Sequence, residues 1–485
     1  MYKRVSYEQM KRREARRKRR VRIACVLFMA AAAAGASMAL AVHVLAAPEN
    51  PEAGAEENWK AELKNAAETI SGNLAVPEGI LFAKDIEKEP GVPVVVIDPG
   101  HGGEDEGCEK DGIQEKDINL AIAGMVKDKL DGMGYQAVLA REDDTYIAKE
   151  ERVQNANAWG ADLYVSIHQN AYEDENTEGI EVWYDGNAAD GSSADGSAAG
   201  ADNERLARLV HQETLKSTGA AARELREDSE FYVTRETSMP SCLIETGFLS
   251  NQGEREKLVT VEYQQQVADG IARGIDLYFH PKTMYLTFDD GPYRERTDKV
   301  LTVLKERNIK AAFFLVGENV ERDPDMARRI VEEGHTIGIH CYSHDYEKIY
   351  ASVDSYIQDF EKAYEVIREA TGVEAKLFRF PGGSVNAYNK HVCKDIAEKM
   401  TEMGFIYYDW NASLEDAVHD PDPKQLILNA KESTLGRQSV VMLAHDVICA
   451  TGDCLDELLD ELPEYEIKAL DEQTEPVHFH IDGME

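Results

Sequence analysis

Apolar positions recur along this chain in two periods. Short runs at 92–98, 136–140, 161–168, 179–183 and 242–245 read as strands, and helix-period segments at 116–133, 203–218 and 260–278 alternate with them. This alternation predicts a mainly parallel sheet in a first α/β domain over 91–280. A second series follows at once, with strand signals at 283–289, 311–316, 335–340, 376–380, 404–410, 439–444 and 466–470. Polar residues at the ends of these strands suggest a TIM-like barrel over 281–485, with its chemistry at the C-terminal rim. The stretch NAADGSSADGSAAGADN at 187–203 has no period and reads as a flexible surface insertion.

The N-terminus breaks this pattern. Residues 1–22 hold eleven Lys and Arg against Glu8 and Glu14, and an apolar, Ala-rich run follows over 23–47 with His43 as its one strongly polar side chain. Such a run is long enough to cross a bilayer as a helix, and the basic flank assigns the chain start to the cytoplasm. The expectation is a cytoplasmic basic segment (1–22), a single-pass signal anchor in the cell membrane (23–47) and a Glu-, Ala- and Pro-rich stalk (48–90). The domains beyond it are then extracytoplasmic. A cleaved signal peptide ending near Val44-Leu45-Ala46 is the alternative and would leave the protein secreted, but the run is long for one.

Charge narrows the partners. The chain carries 53 basic and 91 acidic residues, a formal net charge of −38, and setting 1–22 aside leaves 42 against 89, or −47. Bulk electrostatics therefore argues against nucleic acid and other polyanions as partners. Seven cysteines are too few for a disulfide scaffold of this size. Cys449 and Cys454, flanking Ala-Thr-Gly-Asp, either close a small disulfide loop or stay as two thiols.

Chemistry-bearing residues collect at strand ends in the first domain. IDPGHGG (97–103) supplies His101, IQEKDINL (113–120) supplies Glu115 at a helix start, and YVSIHQNA (164–171) supplies His168. Two imidazoles and one carboxylate with an open fourth position make a catalytic zinc set. Glu245, in CLIETGFLSN (242–251), ends another strand and is available as a general base. Each fragment alone reads as a hydrogen-bonded strand end. Together, over about 92–278, they resemble the zinc-dependent N-acetylmuramoyl-L-alanine amidases of the amidase_3 type. The resemblance implies that His101, Glu115 and His168 bind Zn2+ and that Glu245 is catalytic. Where some members of that family carry a regulatory helix, this chain has the polar insertion, so no helical plug over the cleft is expected.

The second domain opens on YLTFDDGPY (285–293), in which Asp289 and Asp290 stand side by side. HTIGIHCYSHDY (335–346) places His340 and His344 four apart, LFRFPGG (377–383) places Arg379 before a turn, and VVMLAHD (440–446) ends a strand on His445. Two His and one Asp suit a facial metal triad. The five pieces in this order are similar to the NodB-homology polysaccharide deacetylases, carbohydrate esterase family 4, over about 283–475. That resemblance implies a distorted (β/α) barrel in which Asp290, His340 and His344 hold one divalent metal, Zn2+ or another transition metal. It also implies Asp289 as general base paired with Arg379, His445 as general acid, and Pro381, Trp410 and Leu443 as substrate-binding residues. The residue orienting His445 is expected to be Asp416, with Asp409 as the alternative. On that alignment Ala417 replaces a groove-wall Trp, and Cys341 replaces the usual Ser or Thr as a structural substitute.

The fold class expected for the whole is α/β: an N-terminal membrane helix, an amidase-type mainly parallel sheet domain and a NodB-type barrel. Two metal-dependent hydrolases on one exported chain share one substrate, peptidoglycan. The expectation is a bifunctional enzyme that cuts the MurNAc–L-alanine amide and de-N-acetylates the glycan, MurNAc itself in a spore cortex on the way to muramic lactam. The partners are then the peptidoglycan glycan and stem peptide, and the membrane through the N-terminal helix. Deacetylation of GlcNAc, chitin or acetylxylan, and non-catalytic wall binding, are the alternatives.

Overall fold

The structure, a computed structural model, describes residues 86–186 and 199–481. The basic segment, the anchor expected at 23–47, most of the expected stalk and residues 187–198 of the polar insertion lie outside the described residues. Among the described residues no helix is long and apolar enough to cross a membrane.

The first domain runs β1 (Val94–Pro99), β2 (Glu109–Lys110), β3 (Ile113–Gln114), α1 (Glu115–Met133), β4 (Gln136–Leu139), α2 (Lys149–Trp159) and β5 (Leu163–Asn170). It continues with β6 (Ile180–Tyr184), α3 (Ala199–Thr218), β7 (Ala222–Glu227), α4 (Tyr232–Arg235), β8 (Ser241–Phe248), α5 (Gln252–Leu258) and α6 (Val261–Phe279). Six strands form one sheet in the order β4-β1-β5-β8-β6-β7, parallel except where β6 meets β8. Strand period two divides its side chains between two layers. Val95, Ile97, Leu163, Val165, Ile167, Cys242 and Ile244 pack against α1, α3 and α6 in the larger core. Val94, Val96, Tyr164 and Leu243 face the smaller cluster that includes Val153 and Ala156 of α2. Asp98, His168 and Glu245 continue this second face at the C-terminal strand ends.

Two elements escape the apolar pattern. β7, with the sequence ARELRE, is a polar edge strand, and α2 buries only Arg152, Val153 and Ala156 of eleven residues. Residues 199–203, read from sequence as part of a flexible insertion, instead begin α3.

The second domain contains β9 (Lys282–Asp289), α7 (Arg294–Glu306), β10 (Ala312–Val316), α8 (Gly317–Arg322), α9 (Pro324–Glu332), β11 (Thr336–Cys341), α10 (Tyr346–Ile349) and α11 (Val353–Thr371). It ends with β12 (Leu377–Phe378), α12 (Cys393–Glu402), β13 (Ile406–Tyr407), β14 (Ala412–Ser413), α13 (Pro423–Thr434), β15 (Ser439–His445), α14 (Cys449–Glu461) and β16 (Tyr465–Ile467). The strands run β13-β12-β11-β10-β9-β15-β14, all pairs parallel, and β16 pairs the first residues of β9. No pairing joins β13 to β14 among the described residues, so this is an open half-barrel and not the closed barrel of a TIM-like reading.

Alternation again sorts the side chains. Met284, Leu286, Phe288, Phe313, Leu315, Val440, Met442 and Ala444 belong to the main core under the helices. Tyr285, Ala312, Phe314, Leu377 and Val441 form a small cluster on the opposite, inner face. By the same period Thr287 and Asp289 of β9, Arg379 after β12 and His445 of β15 share that inner face.

Candidate active sites

The turn after β1 brings His101 out with a left-handed backbone, φ 63°. Glu115 opens α1 and is buried, and His168 lies toward the end of β5. Glu115 Oε1 sits 3.2 Å from His101 Nε2 and 2.9 Å from His168 Nδ1. The carboxylate is further held by the backbone N–H of Cys108 (2.9 Å), the backbone N–H of Gln169 (3.1 Å) and Asn119 Nδ2 (3.1 Å). Burial opposes ionisation of Glu115, but the hydrogen bonds and charges of the two imidazoles outweigh it and hold the carboxyl far below the usual range. Burial also opposes protonation of His101, and there Glu115 and Asp105 prevail and raise it. His101 Nδ1 is in contact with Asp105 Oδ1 at 2.9 Å, short of a linear hydrogen bond.

Glu245 lies directly opposite His168 in the β5–β8 register. Its Oε2 is buried without a hydrogen-bond partner, and it lines a cavity of about 810 Å³ together with His101, Glu115 and His168. Burial, then the charges of Glu115 and Glu181, push its carboxyl well above the normal value.

Beneath this site lies a network that sequence reading did not identify. Arg152 Nη1 donates to Asp98 Oδ1 (2.7 Å) and to the Pro99 carbonyl (2.7 Å), and Nη2 reaches the His101 carbonyl. Asp98 Oδ2 accepts from Tyr164 (2.6 Å) and Ser166 (2.9 Å). Asp98 stands in the IDPGHGG motif, whereas Arg152 lies on a mostly polar helix whose pattern carries no signal for a buried cation.

In the second domain Asp290 Oδ1 lies 3.3 Å from His340 Nε2 and 3.1 Å from His344 Nε2. His340 Nδ1 is 2.9 Å from the Arg379 carbonyl. A carbonyl only accepts, so Nδ1 donates there and Nε2 is the ring atom turned toward Asp290. Burial of Asp290 would raise its pKa, but the two imidazoles hold it well below the carboxylate range. Next to it, Asp289 Oδ1 accepts from Arg379 Nη1 at 2.9 Å, with both side chains buried. His445 Nδ1 lies 2.7 Å from Asp416 Oδ1. Asp409 does not meet His445; it accepts from Ser384 and from the backbone of Phe479.

Of the remaining candidates, Leu443 and Pro381 are buried, and Tyr350 donates to the Pro381 carbonyl (2.8 Å). Trp410 is partly buried edge-on to Phe479, with ring centroids 4.9 Å apart, against the inner cluster below Arg379. Ala417 is exposed. Cys341 is buried beside the triad without belonging to it, and burial, then Asp359 and Asp290, push its thiol up, as suits a structural residue. Cys449 and Cys454 are unpaired thiols on α14, the first exposed and the second buried. Five positions along a helix point their side chains to different faces, which rules out the small disulfide loop.

Both triads fit a divalent cation. Their ligand atoms lie within 4.8 Å of one another in each group, and the Asp290 Oδ1 atom at the centre of the second is buried without a hydrogen-bond partner. The donor sets, two imidazoles and one carboxylate each, are those of catalytic metal centres.

Comparison with known proteins agrees with this geometry. Residues 95–276 match the family of N-acetylmuramoyl-L-alanine amidases, and 277–401 match the polysaccharide deacetylases. The chain is 40% identical over 185 residues to the uncharacterized protein YqiI of Bacillus subtilis, covering 38% of this chain and 84% of that one. It is 32% identical over 203 residues to the germination-specific N-acetylmuramoyl-L-alanine amidase of the same organism, covering 39% and 81%. It is also 32% identical over 210 residues to a peptidoglycan-N-acetylglucosamine deacetylase of Bacillus cereus, covering 42% and 74%.

Proposed function

Belonging to the N-acetylmuramoyl-L-alanine amidase family through residues 95–276 and to the polysaccharide deacetylase family through 277–401, the chain is a bifunctional peptidoglycan hydrolase acting on carbon–nitrogen bonds, and we propose that its two sites act in succession on one muramic acid residue. The first would free MurNAc of its stem peptide; the second would remove the acetyl group from the bared sugar, whose amine can then close on the lactyl carboxyl as a lactam. The observation that carries this reading is the presence on one chain of two triads, each beside its own proton-transfer groups. Residence on one chain raises the local concentration of the first product at the second site. Tethering through residues 23–47, outside the described residues, would hold both domains against the wall.

Each triad, loaded with Zn2+ in the first domain and with Zn2+ or another transition metal in the second, would polarise the scissile carbonyl and acidify water. Glu245, with one oxygen unpartnered in the cavity, takes the proton of the attacking water and returns it to the departing alanine amine. Asp289, held by the hydrogen bond from Arg379, takes the equivalent proton in the second domain. His445, its Nδ1 fixed by Asp416, protonates the departing sugar amine from Nε2.

A second reading is favoured by the name of the Bacillus cereus relative, a peptidoglycan-N-acetylglucosamine deacetylase: the second domain would act on GlcNAc irrespective of the first. Mass spectrometry of muropeptides from sacculi treated with wild type, Glu245→Ala and Asp289→Asn separates the two. Succession requires that Asp289→Asn accumulate peptide-free MurNAc and that Glu245→Ala yield neither product. Deacetylated GlcNAc from Glu245→Ala supports the second reading, and neither product from the metal-loaded wild type sinks both.

A further inference from the structure

Asp409, the alternative that the sequence offered for orienting His445, takes no part in fixing it. Its carboxylate is fully buried and accepts from the Ser384 backbone N–H (2.8 Å), the Ser384 hydroxyl and the Phe479 backbone N–H (2.7 Å). Phe479 belongs to a C-terminal strap, residues 477–481, that docks beside β13, the end strand of the sheet. In this strap the Val477 carbonyl accepts from the Asp409 N–H (2.7 Å), the His478 ring stacks on Tyr407 at 3.8 Å, and Phe479 meets Trp410.

The backbone pinned in this way is the one that aims Arg379. Nε donates to the Tyr408 carbonyl (2.8 Å) and Nη2 to the Asp409 carbonyl (3.1 Å), which leaves Nη1 for Thr287 Oγ1 (2.7 Å) and Asp289 Oδ1 (2.9 Å). Two of the four acceptors of a fully buried guanidinium are thus carbonyls held by Asp409 and the strap.

We infer that Asp409 is a positioning residue for deacetylation: anchored between the turn at Ser384 and the C-terminal strap, it holds the carbonyls that direct Arg379 at Asp289. The inference rests on the reading of Asp289 as the general base. Misplacing a catalytic group by about 1 Å can lower a rate about 100-fold, so loss of this anchor acts on kcat.

The test uses the full-length metal-loaded enzyme, an Asp409→Asn variant, a chain ending after Pro476 and an Asp289→Asn control. Deacetylation kcat and KM, amide cleavage in the same sample and bound metal are measured. Asp409→Asn and the shortened chain are expected to lose about 10- to 100-fold in deacetylase kcat, with KM, metal content and amide cleavage unchanged. An active Asp289→Asn would overturn the reading of the base. An inactive Asp289→Asn beside wild-type kcat in the other two would overturn the positioning role, as would a loss that tracks KM or metal content. Should Asp409→Asn not fold, Ser384→Ala removes a single donor and is expected to show the same split with a smaller loss; wild-type kcat there also overturns the role.

Discussion

Asp416 grips His445 with both oxygens: Oδ1 lies 2.7 Å from the ring Nδ1, and Oδ2 accepts the His445 backbone N–H at 2.7 Å and the Thr451 hydroxyl at 2.6 Å. Burial disfavours protonating His445, but the hydrogen bond and charge of Asp416 overcome it and push the imidazole up to about 9. An acid with that pKa is loaded at neutral pH and lost as pH rises through about 9. Replacing Asp416 with Asn removes the charge, so His445 loses its proton at lower pH. The alkaline limb of the deacetylase pH–rate profile should move down, and kcat should fall roughly 100-fold or more. An alkaline limb that stays in place would show that His445 is not the acid.

Gly100 approaches the His168 ring so closely that an added Cβ would stand 2.1 Å from Cε1 and 2.3 Å from Nε2. Gly100→Ala must therefore displace the ring from Glu115. The variant is expected to bind less metal in the first domain and to lose amide cleavage with it, while deacetylation persists; metal content and the two product assays read this directly. Full metal content would contradict the geometry.

The buried Asp98–Arg152 pair predicts a stability effect. Removing one partner of a buried ion pair leaves the other charge uncompensated and costs about 3–5 kcal/mol. Asp98→Ala strands the Arg152 guanidinium, so the first domain should unfold at markedly lower denaturant than wild type while the transition of the second stays put. A shift under about 1 kcal/mol would mean that Arg152 finds water or another partner.

His335 makes stability depend on pH. It is buried, its Nδ1 accepts the Ala311 backbone N–H (3.2 Å), and burial, then the charge of Lys310, lower its pKa from 6.5 to about 4. As pH falls from 6.5 towards 4 the unfolded chain takes up a proton that the folded chain refuses, so stability declines across that window. The full decline from this residue is about 3 kcal/mol. Unfolding curves of wild type and His335→Asn should diverge through the window, the variant losing less; parallel curves would count against it.

Metal removal should silence both sites together. A chelator is expected to abolish both activities and lower the unfolding temperature, and added Zn2+ to restore them. Because His101 and His344 gain protons more readily in the metal-free protein, reloading should release protons and weaken as pH falls. Calorimetry in buffers of different ionisation enthalpy measures this, and a pH-independent affinity would refute it.

Much of this was legible in the sequence because strand period two reports which side chains share a face. The pattern assigned Asp289, Arg379 and His445 to strand ends, and the structure brings them to one face of the half-barrel. Arg152 was not legible: a buried arginine on a helix that is polar almost throughout leaves no mark in the pattern. β7 escaped for a related reason, since an edge strand need bury little.

The adjacent Asp289 and Asp290 divide most clearly what each level decided. Sequence alone determined that two carboxylates end β9, that His340 and His344 stand four apart, and that neighbours in a strand should face opposite ways. Tertiary structure reconciles them with a bend at Asp290 itself, whose φ of 76° is left-handed, as are those of His101 and His344. A non-glycine residue in that region costs of order 1–3 kcal/mol and persists only where its surroundings hold it. Likewise, only the fold chose Asp416 over Asp409 for His445, because partners 29 and 35 residues further along the chain, His445 and Thr451, fix it. Local pattern reports burial, whereas the direction of a loop side chain is set by contacts distant in sequence.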